Sequence, residues 1–247
     1  MLPTEIGSEP YDPRNVLDRL SRTETLESYY RHVERRERAL IERHLGIAGG
    51  EVLSIGCGWH PGRHLFPRPQ FQLTGVDLDP ARVQSVLARG EADFAFAGAA
   101  GALELPNRCT DVVLYRLVLH HLVYREPLVA AFTEAACLLR PGGALVAIEP
   151  GLWHPVGAAL ALANRTGIAT ALHGTPDDIP LSPARLVAEA RKVGLAPELH
   201  SVTFAWRRLP PALQRLVAPL DALGSRRALA PLGHTLMLIA RKPGVRC

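Results

Sequence analysis

The sequence predicts an α/β protein, a largely parallel sheet with helices on both faces, and three observations predict it. From residue 51 onward, short apolar runs alternate with helical stretches, the pattern of βαβ units. The first apolar run ends in a glycine-rich turn and the second in an acid, as in the nucleotide-binding half of such sheets. At 247 residues, 47% of them hydrophobic, the chain is long enough to bury one large core.

Residues 15–45 read as one or two helices. Leu40, Ile41 and Leu45 recur at helical spacing, and Gly46 with Gly49 and Gly50 ends the run. Glu27 with Arg31, and Glu34 with Arg38, are spaced i,i+4 with the acid first, which reads as a solvated, salt-bridged helix face. Strand candidates follow at 51–55, 72–76, 93–97, 112–115 and 144–148, with helical patterns at 80–89 and 127–139. Residues 151–181 hold no strand pattern. Ser182 as N-cap, Pro183 in the first turn and Gly194 as terminator frame a further helix. Strand candidates at 199–206 and 235–241 close the chain. The expectation is one domain over 1–247, with a helical extension at 1–46 and a helical lid at 151–181.

Composition narrows the function classes. The net charge is +4, but the basic residues are interleaved with acids rather than clustered, so no nucleic-acid partner is expected. No apolar run approaches the ~18–20 residues that span a bilayer. The first residues lack a basic stretch followed by an apolar one, so a cytoplasmic location is expected. Cys57, Cys109, Cys137 and Cys247 form no CxxC pair, which suggests neither a disulfide framework nor a metal site.

The stretch EVLSIGCGWHPGRHLF carries the chemistry. Its strand runs directly into Gly56-Cys57-Gly58, where the missing Cβ atoms let backbone approach a ligand. Asp77 ends the next strand, 21 residues after Gly56, where a carboxylate can accept bonds from ribose hydroxyls. Together they read as an adenosine-ribose site. Trp59, His60 and Pro61 precede the next glycine, Gly62, and such bulk fits a dinucleotide pyrophosphate loop poorly. No second mononucleotide half is evident after residue 150.

These residues resemble the class I S-adenosylmethionine (SAM)-dependent methyltransferases. VLSIGCG resembles the family's first motif, LTGVDLDP its ribose motif and TDVVLYRLVLHHL its fourth-strand motif, and LLRPGGALVAIEP is similar to its fifth strand. The resemblance implies a Rossmann-like seven-stranded mixed sheet, order 3-2-1-4-5-7-6, with SAM as cofactor over the ends of strands one, two and four. Carried across, Gly56, Cys57 and Gly58 would pass under the methionine end of SAM, with Trp59 and His60 in the enlarged loop beside it. Asp77 would hold the ribose and Leu78 flank the adenine. Gly101 and Ala102 would face the adenine, and Arg116 and Leu117 would line the methionine side. Two departures stand out: Ser54 replaces the acid common before the glycines, and Gly101 replaces the acid common near the adenine.

Methyl transfer asks a protein for orientation, water exclusion and, with an alcohol acceptor, removal of one proton. His121 in LHHL and His154 after the fifth strand are the candidate catalytic bases; His120 is the alternative structural member of its pair. Tyr30, Trp153 and His154 are the candidate acceptor contacts, with the apolar segment 156–172 as cover. The reading is a methyltransferase acting on a small-molecule acceptor, at a hydroxyl of a natural product, sugar or lipid-like intermediate. The rivals are an RNA or protein methyltransferase, a non-catalytic module of the same fold, and a nicotinamide enzyme.

Overall fold

A computed structural model of the chain describes residues 23–123, 127–166 and 180–244. Helix α1 (Thr23–His44) leads into β1 (Gly50–Ile55), β2 (Phe71–Asp77), α2 (Pro80–Ala88), β3 (Phe94–Ala97) and β4 (Thr110–Arg116). A short α3 (Leu119–Leu122), α4 (Leu128–Leu138), β5 (Leu139–Pro150), α5 (Pro155–Arg165) and α6 (Pro183–Lys192) follow. Strand β6 (Ala196–Thr203), helix α7 (Pro211–Val217), two 3-10 turns and β7 (Thr235–Arg241) complete it. The seven strands form one sheet in the order β3-β2-β1-β4-β5-β7-β6, with β7 antiparallel to both neighbours. The expected sheet order is the observed one.

Strand alternation builds two cores, because successive side chains leave opposite faces of a sheet. On one face Val52, Leu114, Val146 and Ile239 pack with Val33, Leu40 and Ile41 of α1 and with Leu45 just after it. On the other, Leu53, Val113, Leu145 and Leu238 pack with Phe132 and Ala135 of α4 and Leu186 and Ala190 of α6. Asp79 caps α2 by accepting from the Ala81 amide at 2.9 Å, and Ser182 caps α6 as its position predicts.

Several expected boundaries move for physical reasons. Strand β6 starts and ends three residues earlier than the 199–206 pattern suggests. The Phe204 amide donates to Asp221 Oδ1 at 2.8 Å instead of continuing the ladder. Strand β5 starts five residues earlier, because Leu139 already pairs with Thr110 across an irregularity before Val112. The solvated-face reading of α1 holds only in part. Arg31 lies 3.9 Å from Glu27, but Arg38 donates to the His64 carbonyl, and Glu37 turns inward and is buried. Residues 15–22 of the expected N-terminal helix, and 167–179 of the expected lid, lie outside the described residues. Among the described residues no helix is long and apolar enough to cross a membrane.

Candidate active site

Parallel strands β1, β2 and β4 deliver the glycine turn, Asp77 and Arg116 to one edge of the sheet. Gly56 and Gly58 both adopt positive φ, +64° and +54°, but for different reasons. A Cβ on Gly56 would lie 2.3 Å from Val118 Cγ2, so packing demands the glycine. A Cβ on Gly58 would meet nothing within 4 Å, so its face opens on ligand space. Asp77 is 5% exposed, and its Oδ2 accepts from the Gly58 amide at 2.8 Å while Oδ1 accepts from the Asp79 amide at 3.0 Å. A carboxylate offers about four lone-pair sites, so acceptor capacity remains for a pair of hydroxyls. Leu78, next to it, is 64% exposed and offers an apolar face.

The enlarged loop after Gly58 folds back on itself. The His60 amide donates to the Cys57 carbonyl, and His60 Nδ1 lies 3.6 Å from Glu91 Oε2. Arg89 donates to the Trp59 carbonyl. Trp59 Nε1 and His60 Nε2 are buried with no partner among the described residues, which leaves the loop two polar atoms for a ligand to satisfy. Gly101 and Ala102 are exposed at the neighbouring rim. Glu134 of α4 anchors that rim by accepting from the Gly101 amide at 2.7 Å and the Leu103 amide at 2.8 Å. The open face of Gly58, the acid at the end of β2 and the exposed Leu78 fit an adenosine-bearing cofactor.

Beyond β4 the site changes character. Leu117 holds φ at +56°, uncommon for a non-glycine residue, and its amide donates to the Ile148 carbonyl at 2.8 Å. Arg116 Nε lies 3.2 Å from Glu37 Oε2, which also meets His64 Nε2 at 2.9 Å. Burial would raise the Glu37 pKa, but the charge of Arg116 and the bond from His64 outweigh it and hold the carboxyl below its ordinary range. Strand alternation puts Ser54 and Arg116 on the α1 face of the sheet, so α1 brings to that face a carboxylate that β1 lacks. The sequence signal for Glu37 is a charge in the middle of the buried stripe Val33, Leu40 and Ile41.

A cavity opens between α1, the end of β4, α5 and the start of β7. Its walls include Tyr30, Glu37, Arg116, His120, Leu160 and His234. His120 is 5% exposed, and its Nδ1 meets Glu149 Oε2 at 2.6 Å. Fully buried Glu149 also accepts from the Val118 and Leu119 amides at 3.0 and 2.8 Å, so both the carboxylate and the ring are held in place. His121 stacks on His120, with centroids 4.0 Å apart, and is not among the residues lining this cavity. His154 caps α5, accepting from the Val156 amide through Nδ1, while Nε2 faces the Phe204 carbonyl at 3.2 Å. Both of its ring nitrogens are engaged, and burial holds its pKa below the ordinary value. Trp153 is half-exposed and lies off the cavity, whereas Tyr30 lines it and accepts from Arg207 at 3.1 Å. Sequence reasoning missed Glu37, Glu149 and His234 altogether.

The sheet order, the reversed seventh strand, the glycine turn and the acid ending β2 define the class I SAM-dependent methyltransferase fold. Residues 53–147 match the family described as a methyltransferase domain. Over 103 residues it is 34% identical to a probable S-adenosylmethionine-dependent methyltransferase of Mycolicibacterium smegmatis. That match covers 42% of this chain and 39% of the relative's length. Among solved structures it is similar to a possible histamine N-methyltransferase of Thermotoga maritima, with a TM-score of 0.59 and 17% identity over 88% of this chain and 95% of that one. The [4+2]-cyclase SpnF is similar too, with a TM-score of 0.58 and 20% identity over 85% of this chain and 81% of that one. These structural likenesses speak for the fold, and a cyclase among them underlines that chemistry has to be argued from the site.

Proposed function

We propose that the protein transfers a methyl group from SAM to a hydroxyl of a small, partly apolar acceptor, a natural-product, sugar or lipid-like intermediate. The observation that carries the reading is the His120–Glu149 pair, set in the wall of the cavity that continues from the methionine side at Arg116 and Leu117. When bound, SAM supplies an electrophilic methyl with a good leaving group. The chain supplies the rest. Asp77 accepts from the ribose hydroxyls, the open face of Gly58 admits the ligand, and Leu78 covers the adenine. Arg116 and Leu117 bound the methionine end. His120 takes the acceptor proton, with Glu149 on Nδ1 fixing the tautomer and stabilising the imidazolium, as carboxylate–histidine pairs do. Tyr29, Tyr30 and Leu160 exclude water around the acceptor.

The base in this reading is His120 because it faces the cavity; His121 and His154 act through it or around it, by stacking and by capping. A second reading, a non-methylating protein of the same fold, draws on Ser54 and Gly101, where acids common in the family are missing. Calorimetry with SAM and S-adenosylhomocysteine, followed by transfer of labelled methyl to a panel of hydroxyl acceptors, separates the two. Adenosylhomocysteine binding that Asp77→Ala abolishes, together with label in an ether product, supports the proposal. Binding with label in no acceptor favours the second reading, and absence of binding overturns the proposal and leaves the second reading standing.

A further inference from the structure

Away from this site, the end of α1 meets the edge strand β6 at three side chains able to ligate a metal. Glu198 and His200 are two residues apart on β6 and therefore leave the same face of the strand. His44, the last residue of α1, reaches them from the packed helix. One ligand atom from each of the three lies within 4.8 Å of the others, and His200 Nε2 is 3.9 Å from Glu198 Oε2. The two imidazole centroids are 4.1 Å apart, with the rings tilted by 31°.

The second observation is an unmet bonding demand. His200 is 5% exposed, yet among the described residues neither of its ring nitrogens has a hydrogen-bond partner, and the buried His44 Nε2 has none either. Buried polar atoms are nearly always paired, and each one left alone costs about 1–3 kcal/mol. Three orphaned imidazole nitrogens beside a carboxylate are what a site looks like before its ion arrives.

We infer that His44, Glu198 and His200 form a binding site for a zinc-class transition-metal ion. Two imidazoles and one carboxylate suit zinc, cobalt or nickel rather than calcium or magnesium, which take oxygen ligands. In a tetrahedral zinc site with bonds of about 2.0–2.2 Å, ligand atoms stand roughly 3.3–3.5 Å apart, so the three side chains need to close in by about 1 Å. Glu198 is half-exposed and can swing, and His44 needs only a ring rotation. Arg241 already holds Glu198 Oε1 at 3.0 Å and donates to the His44 carbonyl. That leaves Oε2 for the metal, with the guanidinium orienting the carboxylate from behind, as outer-shell partners do. Water completes the fourth position. The ion would tie the end of α1 to the sheet edge, and the same helix carries Tyr29, Tyr30 and Glu37 into the acceptor cavity.

The test uses the full chain, stripped with a chelator and titrated with zinc or cobalt(II) chloride. Calorimetry reads stoichiometry, the cobalt ligand-field spectrum reads a nitrogen and oxygen donor set, and thermal unfolding reads linkage. The expected result is one ion per chain, a melting point raised by several degrees, and affinity at least ten-fold weaker in His44→Asn and in Glu198→Gln. Both positions are partly exposed, so the variants keep the fold; His200→Ala serves as a further check. The inference is overturned if no saturable binding is seen, or if binding survives unchanged in both variants.

Discussion

The two halves of the candidate active site are built on different principles. The cofactor half, from β1 to β3, is made by main chain: two glycines at positive φ, and a carboxylate that ties the turn to the end of β2. Its geometry follows from strand register, and few of its side chains are free to differ. The acceptor half is made by side chains from α1, α3, α5, the end of β5 and the start of β7, held by ion pairs such as Glu37–Arg116 and Glu149–His120. The first half can keep its form across many chemistries; under the proposed function, the second is where the choice of chemistry lies.

Four measurements sharpen or break that division. The largest effect is expected for His120→Ala, which should lower turnover by about 10²- to 10⁴-fold while leaving adenosylhomocysteine binding within a factor of about three. Cofactor affinity and turnover falling together would erase the boundary between the halves. Next, Gly56→Ala should destabilise the fold by about 2–4 kcal/mol, because its Cβ strikes Val118 at a positive φ, whereas Gly58→Ala should cost about 1 kcal/mol. Denaturant titration of the two variants reads this contrast, and equal losses would contradict the packing described. Asp77→Asn should weaken adenosylhomocysteine by roughly 10- to 100-fold, since one charge-assisted acceptor becomes a neutral amide. Calorimetry reads it, and an unchanged affinity would remove Asp77 from the ribose.

The smallest effect is on pH. Burial pushes His234 down to about 3 and His200 down to about 4, with the charges of neighbouring histidines and arginines adding to it. The unfolded chain takes up protons near pH 6.5, while the folded chain refuses them until much lower pH. Stability is therefore full above about pH 6.5 and falls as the pH drops toward 4. The denaturation midpoint of metal-free protein should be lower at about pH 5 than at pH 7, and His200→Asn should flatten that slope.

The same division explains what was legible in the sequence. Gly56, Gly58 and Asp77 could be read because a turn after a strand and an acid at the end of the next strand are local patterns at fixed spacing. The seven-strand order came from the family resemblance, carried chiefly by TDVVLYRLVLHHL and LLRPGG in register, and not from the strand patterns themselves. Glu37 and Glu149 were not, because each does its work against a residue far along the chain: Glu37 against Arg116, and Glu149 against His120. His154 and His120 show the limit most plainly. Both follow a strand at the catalytic edge, and only the fold decides that one caps a helix while the other faces the cavity. The helix α1 charges mislead for the same reason, since Arg36 and Glu37 lie in a run that looks solvated yet turn toward Asp221 and Arg116.

Cys57, in the middle of the glycine turn, carries a consequence of its own. A sulfonium methyl donor is an alkylating agent, and a thiolate is the best nucleophile a protein owns. Burial, reinforced by the negative charge of Asp77, pushes this thiol up to about 12, and its sulfur lies against the backbone where Gly75 leaves room. At neutral pH such a thiol stays protonated. If the turn receives SAM as proposed, its one thiol is thereby kept from being methylated by it.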